Sequence, residues 1–210
     1  MELILDIGSG NTLKSFGVGR KLIDEVMIRD SRKHKIIFKA QLFQDAPPNI
    51  PLNWDVFADL MCYSWEAGYP MTSSVFDLPS LEYLLGFMWK LPFVKIACRP
   101  DLYWLIGEIP RKIPVYVSVE DGQEWPEFDD RKIYILSCVP AYPAEISDYS
   151  APNYNNSYGI SDHTVGWRLF NRYNKYGMGC WEKHLVPEHS ADNPDAGLFA
   201  VTPTELEGII

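Results

Sequence analysis

YGISDHTVGWRLFNRYNKYGMGCWEKHL, residues 158–185, holds two short apolar runs, YGISD (158–162) and GCWEKHL (179–185), separated by a segment of helical period. Strand, helix and strand in that order is the repeating unit of a parallel sheet, because a parallel crossover needs a dozen or more residues to bring the chain back. Toward the N-terminus the alternation recurs. The earlier runs are LILDI (3–7), KIIFKAQL (35–42), YPMTSSV (69–75), FVKIAC (93–98), PVYVSV (114–119) and KIYILSC (132–138). Eight such runs in 210 residues predict one α/β domain over 1–210, a compact (β/α)8 TIM barrel near the lower size limit of that fold.

Helical segments are predicted over about 14–30, from Asn53, from Leu78, from Asp101, from His163 and, as a last turn, from Thr202. Asn53, Thr164 and Thr202 suit N-caps, the last with Glu205 completing a T-x-x-E capping box, and Gly68 and Gly177 sit where helices should stop. Two connections leave no room for a full helix: EDGQEWPEFDD (120–130) and PAYPAEISDYSAPNYNNSYG (140–159). The barrel is therefore expected to carry reduced helices after strands five and six. Trp54, Trp65, Tyr83, Trp89, Trp104 and Trp167 recur at helical spacing and read as the outer layer of the core. An open doubly wound sheet is the rival architecture, but no G-x-G-x-x-G loop opens a helix after any strand.

Composition bounds the function. Nineteen basic against 28 acidic residues give a formal charge of −9, and no run of Lys or Arg offers the footprint that nucleic acid requires. No apolar stretch reaches the ~18 residues of a membrane span, no basic leader follows Met1, and the four cysteines form no C-x-x-C pair. The expectation is a cytoplasmic protein without a nucleic-acid or membrane partner.

In a barrel the active site lies at the C-terminal ends of the strands, so the polar residues closing each run are the informative ones. They are Asp6, Lys39 with Gln41, Ser73 with Ser74, Lys95 with Cys98, Ser118, Tyr142, Ser161 with His163, and Glu182 with His184. His163 and His184 end neighbouring strands about 4.8 Å apart, close enough for two imidazoles to share one divalent ion in an open, Lewis-acid site. Equally, His163 could begin a helix and His184 pack within its strand. Lys39 and Lys95 interrupt apolar strands, and a buried ammonium needs an anionic partner. A bound phosphate or carboxylate would serve, with Ser74, Ser118 and Ser161 as further donors, and so would an internal pair with Asp6 or Glu182. Cys98 and Cys138 read as small apolar fillers.

GISDHT (159–164) with WEKHL (181–185) resembles the G-x-S-D-H-T and E-K-H-F pair of the sialic acid synthases and their pseudaminic and legionaminic acid relatives. The similarity continues in order through LDIGSGN (5–11), FKAQLF (38–43), MTSSVFDLPSLEYL (71–84), FVKIAC (93–98), IPVYVS (113–118) and NPDAGLFAVTPTEL (193–206). This resemblance implies a barrel that condenses phosphoenolpyruvate with the open-chain form of an N-acetylated amino sugar, releasing phosphate and a 2-keto sugar acid. It implies His163 and His184 as ligands of a divalent metal, manganese before magnesium or cobalt. It implies Lys39, Lys95, Ser118 and Ser161 around the phosphate and carboxylate of phosphoenolpyruvate, Asp6 handling water or protons, Asp195 toward the sugar, and Gln41, Ser74 and Tyr142 as further substrate-binding residues. Departures fall at Asp6, where the family has glutamate; at Cys98, where it has serine; and at Pro100 and Pro140. The family's C-terminal antifreeze-like domain is not in the chain, which leaves a homodimer or a separate lid-domain partner open. A metal-dependent aldolase or isomerase on the same barrel, or a barrel that has lost the sugar site, are the alternative readings.

Overall fold

Side chains along a strand alternate sides, so in a closed barrel every second residue points inward. In the computed structural model, which describes residues 1–120, 131–150 and 157–210, eight parallel strands close in sequence order. They are β1 (Glu2–Gly8), β2 (Lys35–Leu42), β3 (Met71–Val75), β4 (Val94–Ile96), β5 (Val115–Glu120), β6 (Ile133–Cys138), β7 (Gly159–Asp162) and β8 (Cys180–His184). β8 pairs back onto β1 from Glu2↔Cys180 to Asp6↔His184, which closes the ring. The eight predicted runs each carry one of these strands.

The inward residues fall into layers. Ile4, Ile37, Phe93, Tyr116, Leu136 and Cys180 form an apolar plug inside the barrel. Two residues further along, toward the C-terminal ends, the same faces present Asp6, Lys39, Lys95, Ser118, Cys138 and Glu182. The chemistry therefore begins where the plug ends. Outward residues such as Leu3, Leu5, Phe38, Val94, Val117 and Trp181 join the main core beneath the helices.

Among the described residues four α-helices cover the strands: α1 (Phe16–Arg29), α2 (Trp54–Glu66), α3 (Leu78–Leu85) and α4 (Arg168–Tyr173). Asn53 caps α2 as expected, its Oδ1 accepting from the N–H groups of Asp55 and Val56 at 2.8 and 3.2 Å. At Thr202 the box forms, Thr202 N–H and Oγ1 both donating to Glu205, at the head of a short 3₁₀ turn, Pro203–Leu206.

Three expectations need correction. The segment from Asp101 is a 3₁₀ helix, Pro100–Glu108, begun by the proline. The helix expected from His163 begins only at Arg168, because Asp162 Oδ1 accepts from both the N–H and Oγ1 of Thr164, and Gly166 turns the chain at φ +62°. Thr164 is thus held in a turn and does not cap. Trp65, Trp89 and Trp104 are also not core: they are solvent-exposed, and Lys90 Nζ lies over the rings of Trp89 and Trp65. Most of the connection after β5 (121–130), and part of the one after β6 (151–156), lies outside the described residues; the described part of the latter holds one 3₁₀ turn, Ile146–Asp148. No described helix is long and apolar enough to cross a membrane.

Candidate active site

The strand ends open into a cavity of about 550 Å³. All of Asp6, Lys39, Gln41, Ser74, Lys95, Ser118, Tyr142, Ser161, His163, His184 and Asp195 line it, so the positions expected from strand ends and motifs converge in one place. Glu182, expected at the strand end and as a possible partner of the buried lysines, lies among them, as do Arg99 and Phe199.

Glu182 is the centre of charge. Its Oε1 accepts from Ser161 Oγ at 2.8 Å and lies 3.7 Å from Lys95 Nζ, while Oε2 lies 3.9 Å from Lys39 Nζ and has no hydrogen-bond partner. Lys39 Nζ donates to Asp6 Oδ2 at 2.6 Å and to Ser74 Oγ at 2.9 Å. Gln41 Nε2 donates to the same Asp6 oxygen at 3.0 Å. The internal pairing open at the level of sequence is therefore the arrangement Lys39 adopts.

The two lysines differ in kind. Burial disfavours both ammonium groups, but for Lys39 the carboxylates of Asp6 and Glu182 outweigh it and raise the pKa. For Lys95 burial wins, Glu182 offsets it only in part, and the pKa falls. Lys95 Nζ instead donates to neutral acceptors, Ser118 Oγ at 2.7 Å and the Ile96 carbonyl at 2.8 Å. An arriving anion would favour its ammonium form. Burial also pushes the Asp6 carboxyl up, yet Lys39, His184 and the Gly8 N–H more than reverse it and bring it down to about 2.

His163 lies one residue beyond β7 and shares the inward side with Ser161. Its Nδ1 is 2.7 Å from the Val139 carbonyl, which can only accept, so Nδ1 carries the proton and Nε2 keeps a lone pair. Burial, with His184 beside it, depresses the imidazole to about 3. Burial likewise lowers His184, whose Nδ1 has no hydrogen-bond partner and lies 3.7 Å from Asp6 Oδ2. The ring centroids are 5.6 Å apart. Two neutral imidazoles with uncommitted nitrogens fit a divalent ion. Among the described residues no group of three or more His, Cys, Asp or Glu is arranged to hold a metal, so such an ion would take its other ligands from water and substrate.

Tyr142 lies over His163 with centroids 4.1 Å apart and is 55% exposed, placing it at the rim. Phe199 meets Tyr142 and His184, each at 5.0 Å. No sequence signal marked Phe199. It arrives because the chain after β8 folds back, Val201 N–H donating to the His184 carbonyl at 2.8 Å and Val186 N–H to the Val201 carbonyl at 2.9 Å. Asp195 is fastened to the loop after β1: its Oδ2 accepts from Ser9 N–H and Oγ at 2.8 and 2.9 Å and from Thr12 Oγ1 at 3.2 Å.

The NeuB family model matches residues 118–210, a stretch containing Ser118, Tyr142, Ser161, His163, His184 and Asp195. No curated protein matches. Among solved structures, the N-acetylneuraminic acid (sialic acid) synthetase of Leptospira borgpetersenii superposes with TM-score 0.77 at 18% identity, covering 98% of this chain and 79% of that one. A putative spore coat polysaccharide biosynthesis protein E of Chromobacterium violaceum gives 0.78 at 16%, over 98% and 71%. Spore coat polysaccharide biosynthesis protein spsE of Bacillus subtilis gives 0.72 at 20%, over 98% and 64%. At such identities the structural likeness establishes the fold.

Proposed function

On the footing that this chain is a NeuB-like barrel, we propose that it is a sugar-acid synthase condensing phosphoenolpyruvate with the aldehyde of an N-acetylated amino sugar, with release of phosphate. One observation carries the reading: Lys95, whose Nζ donates to the neutral acceptors Ser118 Oγ and the Ile96 carbonyl, lines with Ser118 and Ser161 the same cavity that holds the imidazoles of His163 and His184.

In this reading Lys95, Ser118 and Ser161 receive the phosphate and carboxylate of phosphoenolpyruvate, and Lys39 holds its place through Asp6 and Ser74. Glu182 spaces the two ammonium groups so that both face the anion. Asp6, kept ionised by Lys39, is placed to accept a proton or orient a water near His184. Tyr142, Phe199 and Asp195 border the side open to the sugar.

His163 Nε2 and His184 would hold a divalent ion, manganese by preference with magnesium or cobalt as substitutes, which would supply Lewis-acid polarisation of the aldehyde oxygen. Charge supports it. Asp6, Glu182 and Asp195 line the cavity against Lys39, Lys95 and Arg99, and Arg99 is already paired with Asp101 at 2.6 Å, so a multiply charged anion needs further positive charge.

The test is phosphate release from phosphoenolpyruvate over a panel of N-acetylated hexosamines with Mn²⁺, Mg²⁺ and Co²⁺, with product mass measured. Metal-dependent release and a product heavier by the pyruvyl unit are expected. No release with any sugar, or turnover in its absence, would sink the proposal and favour an aldolase, isomerase or binding barrel. Metal content is read in parallel: His163→Ala and His184→Ala should each lose the ion, and equal metal in all three proteins would abolish the site.

A further inference from the structure

The backbones that carry His163 and His184 are held in different ways. His184 is the last residue of β8 and pairs with Asp6 in the ladder, and the Leu185 N–H just beyond it donates to the Asp6 carbonyl at 2.7 Å. His163 lacks this ladder support. The pairing of β7 with β6 ends at Cys138↔Ser161 and that with β8 ends at Asp162↔Lys183, so His163 stands past both.

Two sets of buried contacts replace the missing rungs. On the β6 side, the Tyr149 hydroxyl accepts from the His163 N–H at 3.1 Å and donates to the Ser161 carbonyl at 2.9 Å. The His163 carbonyl accepts from the N–H of Ala144, in the same connection as Tyr149, at 2.9 Å. On the β8 side, Lys183 Nζ donates to the Thr164 carbonyl and lies 3.3 Å from Asp162 Oδ1. That oxygen accepts from the N–H and Oγ1 of Thr164, each at 2.8 Å, while Trp181 Nε1 donates to Asp162 Oδ2 at 3.2 Å. The residues on either side of His163 are thus tied to the residue before His184. Tyr149, Asp162 and Lys183 are all buried, and none of them lines the cavity.

From this geometry we infer that Tyr149 and the Asp162–Lys183 pair are positioning residues, which set His163 opposite His184 so that the two imidazoles can share one divalent ion. The inference rests on the metal reading proposed above and names what prepares that site. Tyr149 acts through the His163 N–H, and Lys183 through the Thr164 carbonyl. Without its hydroxyl, residue 149 leaves a buried N–H and a buried carbonyl unpaired, and the strand end shifts to find other partners. A buried ion pair often adds no more stability than apolar side chains of the same volume, so the contribution of Asp162 and Lys183 is to register. A site with only two protein ligands depends on that register, because no third side chain corrects a displaced imidazole.

The experiment titrates Mn²⁺ into the metal-free full chain, reads the free ion by electron paramagnetic resonance, and measures the unfolding temperature of each protein alongside. Tyr149→Phe, which removes one oxygen, and Lys183→Met, which removes the ion pair, should each weaken Mn²⁺ binding roughly tenfold or more. Val26→Ala, a core truncation on α1, supplies the comparison for lost stability alone and should bind as the wild type does. The inference is overturned, with the metal site intact, if Tyr149→Phe binds Mn²⁺ as tightly as wild type, or if Val26→Ala loses as much affinity at an equal loss of unfolding temperature. A folded Lys183→Met of wild-type affinity would strike the ion pair from the set. If the wild type binds no Mn²⁺, or His163→Ala binds it equally well, the metal reading fails and takes the inference with it. Tyr149→Phe keeps the buried ring and decides the question even where Lys183→Met does not fold.

Discussion

His163 and Asp6 both titrate below their ordinary values because of where they sit. In the folded chain His163 stays neutral down to about 3, while an unfolded chain protonates it near 6.5. Below 6.5 the unfolded state therefore binds more protons, and stability falls through the window from 6.5 to about 3, by up to ~1.4 kcal/mol per pH unit for one such group. His184 and His34, both lowered, act in the same direction. Asp6 is separate: its contribution is complete above about 3.8 and is lost as pH falls toward about 2. In metal-free buffer, the urea midpoint of His163→Asn should decline less between pH 6.5 and 4 than that of the wild type. Equal slopes would mean that His163 is not held neutral by the fold.

Where β1 ends, one residue governs the join between strand and site. Gly8 has φ +82°, its N–H donates to Asp6 Oδ1 at 3.0 Å, and a Cβ on it would lie 2.6 Å from Asp195 Oδ2. Left-handed backbone costs a non-glycine residue roughly 1–2 kcal/mol before any clash. Gly8→Ala should thus lower stability by about that much and also displace Asp195 from Ser9 and Thr12. Chemical denaturation measures the first effect. A variant as stable as wild type would show that the loop absorbs the methyl group. Elements also explain which helices were legible. α2 announces itself through the Asn53 cap and α1 through its period, whereas the stretch after His163 has helical period but is held in a turn by Asp162. Periodicity reports which side of a segment is apolar and carries no information about a side chain two residues upstream competing for the backbone.

A closed sheet has no edge, and that makes the last strand indispensable. β8 supplies Trp181 to the core, Glu182 to the two lysines, and Lys183 to Asp162, where Nζ and Oδ1 are 3.3 Å apart with both side chains fully buried. A chain ending at Gly179 would expose the edges of β1 and β7 and leave Asp162 and the lysines without these partners. We expect it to lose its near-ultraviolet circular dichroism and its sharp unfolding transition while keeping helical signal. Retention of a sharp transition would mean that the ring is stable open.

Much of this was determined by local sequence. Each strand was marked by a short apolar run with inward and outward parity, and the candidate residues, apart from Asp195, by being polar at the end of such a run, because the barrel places those ends around one mouth. What parity cannot express is which polar groups meet once the ring closes. Glu182 between Lys39 and Lys95, and Phe199 against His184, join residues far apart in the chain. Closure and the fold-back of the chain after β8 set those partners, and with them the opposite pKa shifts of Lys39 and Lys95 and the lowered pKa of His163 and His184.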